Sequence, residues 1–201
     1  MSNSQFECHD RERQRPLANL IRFGAFAAIL GGSLGAITPI IGHQPQSIPH
    51  EALYAVIDAR LLFGTIAIWL TCSERLGMIG LMGFIVALTG IASIIGPEPQ
   101  WVGIDLYWIG SIVFALGVSI LAVQILRHGP YEGTAVIWII AVGIGAIGAL
   151  FPEFIPSEMA GPIFKTGFLV AGVQILRTGK SQPPNASTAR LEHQHGGGNA
   201  T

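Results

Sequence analysis

The sequence predicts an all-α fold: a polytopic membrane protein whose six transmembrane helices form three helical hairpins. Composition is the first reason. Half of the 201 residues are hydrophobic and only 11% are charged, against about 25% in a soluble domain, so charge cannot cover a globular surface. The second is a series of apolar runs separated by short polar breaks, each about the 18–20 residues that a bilayer crossing needs. The third is a repeat with a period of about fifty residues. Val123-Gln124-Ile125-Leu126-Arg127 returns as Val173-Gln174-Ile175-Leu176-Arg177, with Phe114 and Gly117 matched by Phe164 and Gly167.

Residues 1–16 form a polar N-terminal tail carrying Arg11, Arg13 and Arg15, with Pro16 as a break. The transmembrane domain covers 17–179. Its first span follows Arg22 and runs to about Ile41, too long for the 7–15-residue core of a secretory signal. Spans two to six are predicted at 51–72, 76–96, 104–127, 133–151 and 160–177. The breaks between them, including Ser73-Glu74-Arg75, are short, as in helical bundles. Residues 180–201 are rich in Pro, Asn, Gly and His and too poor in apolar residues to fold, a disordered C-terminal tail.

Lysine and arginine set the orientation. Arg22, Arg75, Arg127, Arg177 and Lys180 lie at one side, whereas the segments 43–50, 97–103 and 152–159 contain neither residue. The positive-inside rule then places both termini in the cytoplasm, with a bacterial inner membrane as the default cell membrane. Leu34, Ile37, Ile40, Ile41 and Gly42 recur as Leu88, Ile91, Ile94, Ile95 and Gly96, and Gly64 loosely matches Gly117 and Gly167. Three hairpins of like orientation account for these echoes most simply. Gly31/Gly35, Gly32/Ala36 and Ala141/Gly145 are small-residue pairs suited to close helix contacts at the centre of the bundle or between copies.

The candidate polar site is a set of ionisable groups in the outer halves of the even spans: Asp58, Arg60, Asp105 and Lys165. At a rise of 1.5 Å per residue, Asp105 lies roughly 33 Å from Arg127, and Asp58 and Arg60 roughly 25 and 22 Å from Arg75. Lys165, roughly 18 Å from Arg177, is then the deepest charge. Left unpaired in hydrocarbon it is costly, so it must reach the interface or a carboxylate. Asp58 and Arg60, two positions apart, point to different sides of one helix. The stripe His50, Tyr54, Asp58 is expected to meet Lys165, and Arg60 to turn toward Asp105, Glu153 or Glu158. These groups are either ion pairs that set helix register or a polar pocket open to the outside.

At the opposite end, Arg75, Arg127 and Arg177 are candidate cytoplasmic anchors. Gln124 and Gln174, three residues before an arginine, are expected to share its face, complementing the helix dipole and lipid headgroups. Trp69, Trp101, Tyr107, Trp108 and Tyr131 fall near the interfaces, while Trp138 is deeper.

Other motifs carry little. Gly143, Gly145 and Gly148 spell a dinucleotide fingerprint, but within an apolar helix and without the strand it requires. His43, His50 and Glu51 lack tight metal-ligand spacing, and Cys8 and Cys72 form neither a zinc pattern nor a disulfide framework. No catalytic motif, cofactor or metal is expected, and a net charge of −1 with no basic stripe argues against nucleic acid. The function expected from sequence is therefore non-enzymatic: a structural or accessory membrane component whose partners are membrane lipids, a second copy or another membrane protein. The alternative is a small-solute or ion transporter, or a channel-like protein, using Asp58, Arg60, Asp105 and Lys165.

Overall fold

The computed structural model describes residues 3–41, 48–95, 100–101, 104–153 and 159–178. His43 and Glu158 fall outside these, as does the tail from residue 180, and so do the side chains of His50 and Glu51. The described chain is helical almost throughout. Helices α1 (Asn3–Ile41), α2 (Ile48–Ile94), α3 (Leu106–His128), α4 (Glu132–Leu150) and α5 (Ala160–Thr178) carry it. Strands β1 (Gln100–Trp101) and β2 (Ile104–Asp105) form a minimal antiparallel pair before α3. Among the described residues, four segments are long and apolar enough to cross a bilayer: Pro16–Thr38, Ala52–Ile94, Leu106–His128 and Glu132–Leu150.

Two boundaries differ from the sequence reading, each for a physical reason. Helix α1 passes through Pro16 and begins at Asn3. The residues before Pro16 are rich in Glu, Arg and Gln, good helix formers, so one proline does not end the helix. The break predicted at Ser73-Glu74-Arg75 is likewise helical, and the chain departs from helix at Gly77, with φ 58° and ψ −162°. That region of backbone space is open essentially to glycine alone.

Gly77 divides α2 into a first arm, 48–76, and a second, 78–94. Trp69 and Phe84 stack across the division with ring centroids 4.9 Å apart and planes 11° from parallel. In a continuous helix residues fifteen positions apart are separated by about 22 Å along the axis. The chain therefore turns back on itself at Gly77. The 43-residue apolar segment Ala52–Ile94 is about twice the length that one crossing needs, and Gly77 lies within it.

Packing repeats along the chain. Gly64 of the first α2 arm lies against Ala28 of α1, where an added Cβ would come within 2.9 Å of the Ala28 side chain. Gly117 of α3 lies against the backbone of Ala87 in the second arm, and Gly167 of α5 against the Trp138 indole of α4. Each glycine thus receives the helix that precedes its own, and helix backbones approach closely where side chains are small. Helix α1 itself wedges between two neighbours: Gly31 faces the Arg60 stem, and Gly32 faces the α5 backbone at Leu169.

Where α3, α4 and α5 converge, the core is aromatic. The Phe114 and Phe164 rings meet edge to face at 5.4 Å, and Trp138 and Phe168 lie 4.9 Å apart. Phe114 and Phe164, counterparts in the sequence repeat, are thus in direct contact. The Trp138 indole N–H donates to the Phe164 carbonyl at 3.2 Å, giving this buried side chain its polar partner.

Candidate functional site

The stem of Asp58 emerges from the inner side of the first α2 arm, one helical turn beyond Tyr54. The residue is 5% exposed, the most deeply buried charged group among the described side chains. Lys165, on α5, is the cation that acts on the Asp58 carboxylate, and Asp58 is the anion that acts on Lys165. The Lys165 ammonium lies 5.5 Å from the centroid of the Tyr54 ring, within cation–π range. Its methylene stem runs over Gly35 of α1, where a Cβ would overlap the lysine Cδ. Glycine at that position is what lets a long side chain cross the α1–α5 interface.

The structure thus brings Tyr54, Asp58 and Lys165 together over the α1 backbone. Tyr107, near the start of α3, joins them, within electrostatic reach of Asp58, Tyr54 and Asp105. In the sequence Tyr107 reads as one of several interfacial aromatics, because its part in the group depends on how α3 rotates against α2. Asp105 has a local task. It is the N-cap of α3, its Oδ1 accepting from the Trp108 N–H at 3.1 Å, which satisfies one of the donors left free at a helix start.

Arg60 lies elsewhere. Two residues from Asp58, it faces the groove between α1 and the first α2 arm, beside Phe23, Phe26, Ala27, Leu30, Val56 and Phe63. Among the described residues no carboxylate lines this groove; Glu158, one of the partners expected for Arg60, lies outside them. The i, i+2 spacing anticipates the separation of Asp58 from Arg60 but not which of the two turns inward.

At the other end, Arg75, Arg127 and Arg177 are exposed, whereas the glutamines near them serve the bundle. Gln124 is buried. The Gln174 Oε1 accepts from the Thr134 hydroxyl of α4 at 2.9 Å. Tyr131, in the short connection between α3 and α4, is fully buried and ties this end together. Its hydroxyl lies 3.4 Å from the Thr178 Oγ1 of α5 and within hydrogen-bonding reach of Thr71 on α2. Burial pushes its pKa up, with Cys72 in the same direction, while the hydrogen bonds to Thr178 and Thr71 and the charge of Arg75 oppose the rise. These contacts gather the arginine-bearing ends of α2, α3 and α5 at one end of the molecule.

The chain therefore has two polar layers, one buried around Asp58 and Lys165 beside the aromatic core and one at the arginine end. The first can hold charge in fixed register; the second offers cations to a surface. In comparison with known proteins, the chain matches no family model and has no significant similarity to a curated protein or a solved structure.

Proposed function

We propose that this protein is a structural or accessory component of a membrane. In this reading the chain crosses the bilayer six times as three hairpins, and the Asp58–Lys165 pair holds the first and third hairpins in register. Helix α5 supplies the sixth crossing. Its 19 residues span about 28 Å, near the thickness of the hydrocarbon core, and its polar groups Lys165 and Gln174 face other helices. The turn at Gly77 supports counting α2 as two crossings. With six crossings and the arginines inside, both termini are cytoplasmic.

The observation that carries the structural role is the burial of Asp58 opposite Lys165. Two opposite charges from helices more than a hundred residues apart come within electrostatic reach only in the correct assembly. Such a pair adds little net stability, because desolvation offsets the attraction, yet losing either member leaves a charge without its partner. Phe164 and Phe168 flank Lys165 on α5 and pack with Phe114 of α3 and Trp138 of α4. A packed plug there suits a scaffold better than a conduit.

Reconstitution separates this reading from transport. In liposomes holding a pH-sensitive dye, the purified protein should leave proton permeability at the level of protein-free vesicles. An Asp58-dependent proton or cation flux would replace the structural reading with transport. Reporter fusions at both termini should read the same side of the membrane, and opposite sides would refute six crossings.

A further inference from the structure

The groove around Arg60 departs from the rest of the helical surface. It is a depression of ≈ 280 Å³ between α1 and the first α2 arm, lined by Phe23, Phe26, Leu30, Val56, Phe63 and the arginine. Phe23 and Phe63 meet edge to face at 5.4 Å and close the end nearer the start of α1. From Phe63 to Val56 the groove runs about 10 Å along the helix. The Arg60 stem is pinned against α1, since a Cβ on Gly31 would come within 2.9 Å of its Cβ. The side chain therefore leaves α2 at the α1 seam, on the wall of the groove.

Charge decides what fits. Among the described residues Arg60 is the one basic residue lining the groove, and no acid lines it. Lys165, by contrast, has the Asp58 charge, and Asp105 is committed to its helix cap. A guanidinium in the outer half of a membrane span must reach the interface or find an anion there, and its planar donors match a phosphate well. The surface beside it is open and apolar, with Phe23, Phe26 and Val56 57%, 56% and 44% exposed.

We infer that this groove binds one anionic phospholipid, an acyl segment lying along Phe26, Leu30 and Phe63 and the phosphate held by the Arg60 guanidinium. The lipid belongs to the leaflet on the Asp58 side, opposite the one that Arg75, Arg127 and Arg177 face. The inference rests on the membrane reading above. It does not depend on the Asp58–Lys165 pair.

Native mass spectrometry of the full chain, released from nanodiscs of equal phosphatidylglycerol and phosphatidylcholine, tests it. The wild type should retain one phosphatidylglycerol in preference to phosphatidylcholine. Arg60→Gln should cut that preference by about tenfold, the loss that accompanies removal of a charge-assisted hydrogen bond. Ala59 also lines the groove, and Ala59→Phe, which fills it and keeps the arginine, should reduce retention of both lipids at this site. Arg22→Gln, a charge change outside the groove, should leave the preference intact, and helical circular dichroism should be unchanged in all three. Unaltered preference in Arg60→Gln overturns the lipid site while leaving the six-crossing reading in place. A preference lost equally in Arg22→Gln shows general surface attraction and overturns it too. If the wild type fails to enter the nanodiscs, both readings fall together.

Discussion

The two ends of this helical bundle are built on different principles. At the arginine end the sequence repeats, and the structure places the like residues at one end: Arg75, Arg127 and Arg177 are exposed while Tyr131 joins the helices beneath them. At the other end the charged residues do not repeat. Asp58 has no acidic counterpart in α3 or α5, Lys165 is matched by Ala115 in the fifty-residue register, and Arg60 turns to a groove of its own. An end that only has to stop a helix in water can be copied freely. An end that must distinguish one helix from another requires unlike residues, since identical ones would allow the helices to exchange places.

The contrast can be broken most severely at its unique end. Asp58→Asn or Lys165→Met should each destabilise the protein by up to about 3–5 kcal/mol, the cost of stranding a buried charge. The double variant Asp58→Asn/Lys165→Met should lose much less than the two single losses combined. Thermal unfolding in detergent, read by circular dichroism, reports the coupling, and strict additivity would show that the groups do not act together.

Next come the glycines that receive neighbouring helices. Gly117→Leu forces a side chain into the Ala87 backbone and should cost about 1–3 kcal/mol or more, since overpacked interfaces relax poorly. The same change at Gly143, where nothing lies within 4 Å of an added Cβ, should be nearly silent. Equal effects at the two sites would contradict the packing described.

The turn is next in magnitude. At Gly77→Ala the new Cβ meets no neighbour, so any loss arises from the backbone, about 1–3 kcal/mol for a residue forced into that region. A partial extension of the helix should accompany it, seen as separation of spin labels at Trp69 and Phe84. An unchanged distance together with unchanged stability would remove Gly77 as the cause of the turn.

The smallest effect belongs to the arginine end. Tyr131→Phe should lose about 1 kcal/mol, a typical net value for a hydrogen bond. Because burial favours the neutral phenol, its contribution is complete below the ordinary tyrosine value of 10.0. It declines as alkali ionises the unfolded chain first. Wild type and Tyr131→Phe should therefore converge in melting temperature above that pH and differ below it. A constant difference across the range would remove the linkage.

Much of this architecture can be read before any coordinates are known, because the bilayer reduces folding to a few strong rules. Low charge, apolar runs and short breaks specify membrane helices, since an unpaired backbone group in lipid is too costly for any other local structure. The ends of α3, α4 and α5 fall within a few residues of the expected positions. The turn in α2 is less legible: polar Ser73-Glu74-Arg75 attracts attention, yet only Gly77 can adopt the conformation that reverses the chain. The sequence alone establishes, too, that Asp58 and Arg60 cannot share a face and that Lys165 lies deep enough to need a partner. What tertiary structure decided is rotation. A hydrophobic solvent does not tell a helix which side to turn inward, because lipid and core are equally apolar. Only packing, through Gly35 under the Lys165 stem and Gly31 under Arg60, sent Asp58 to the inside and Arg60 to the groove.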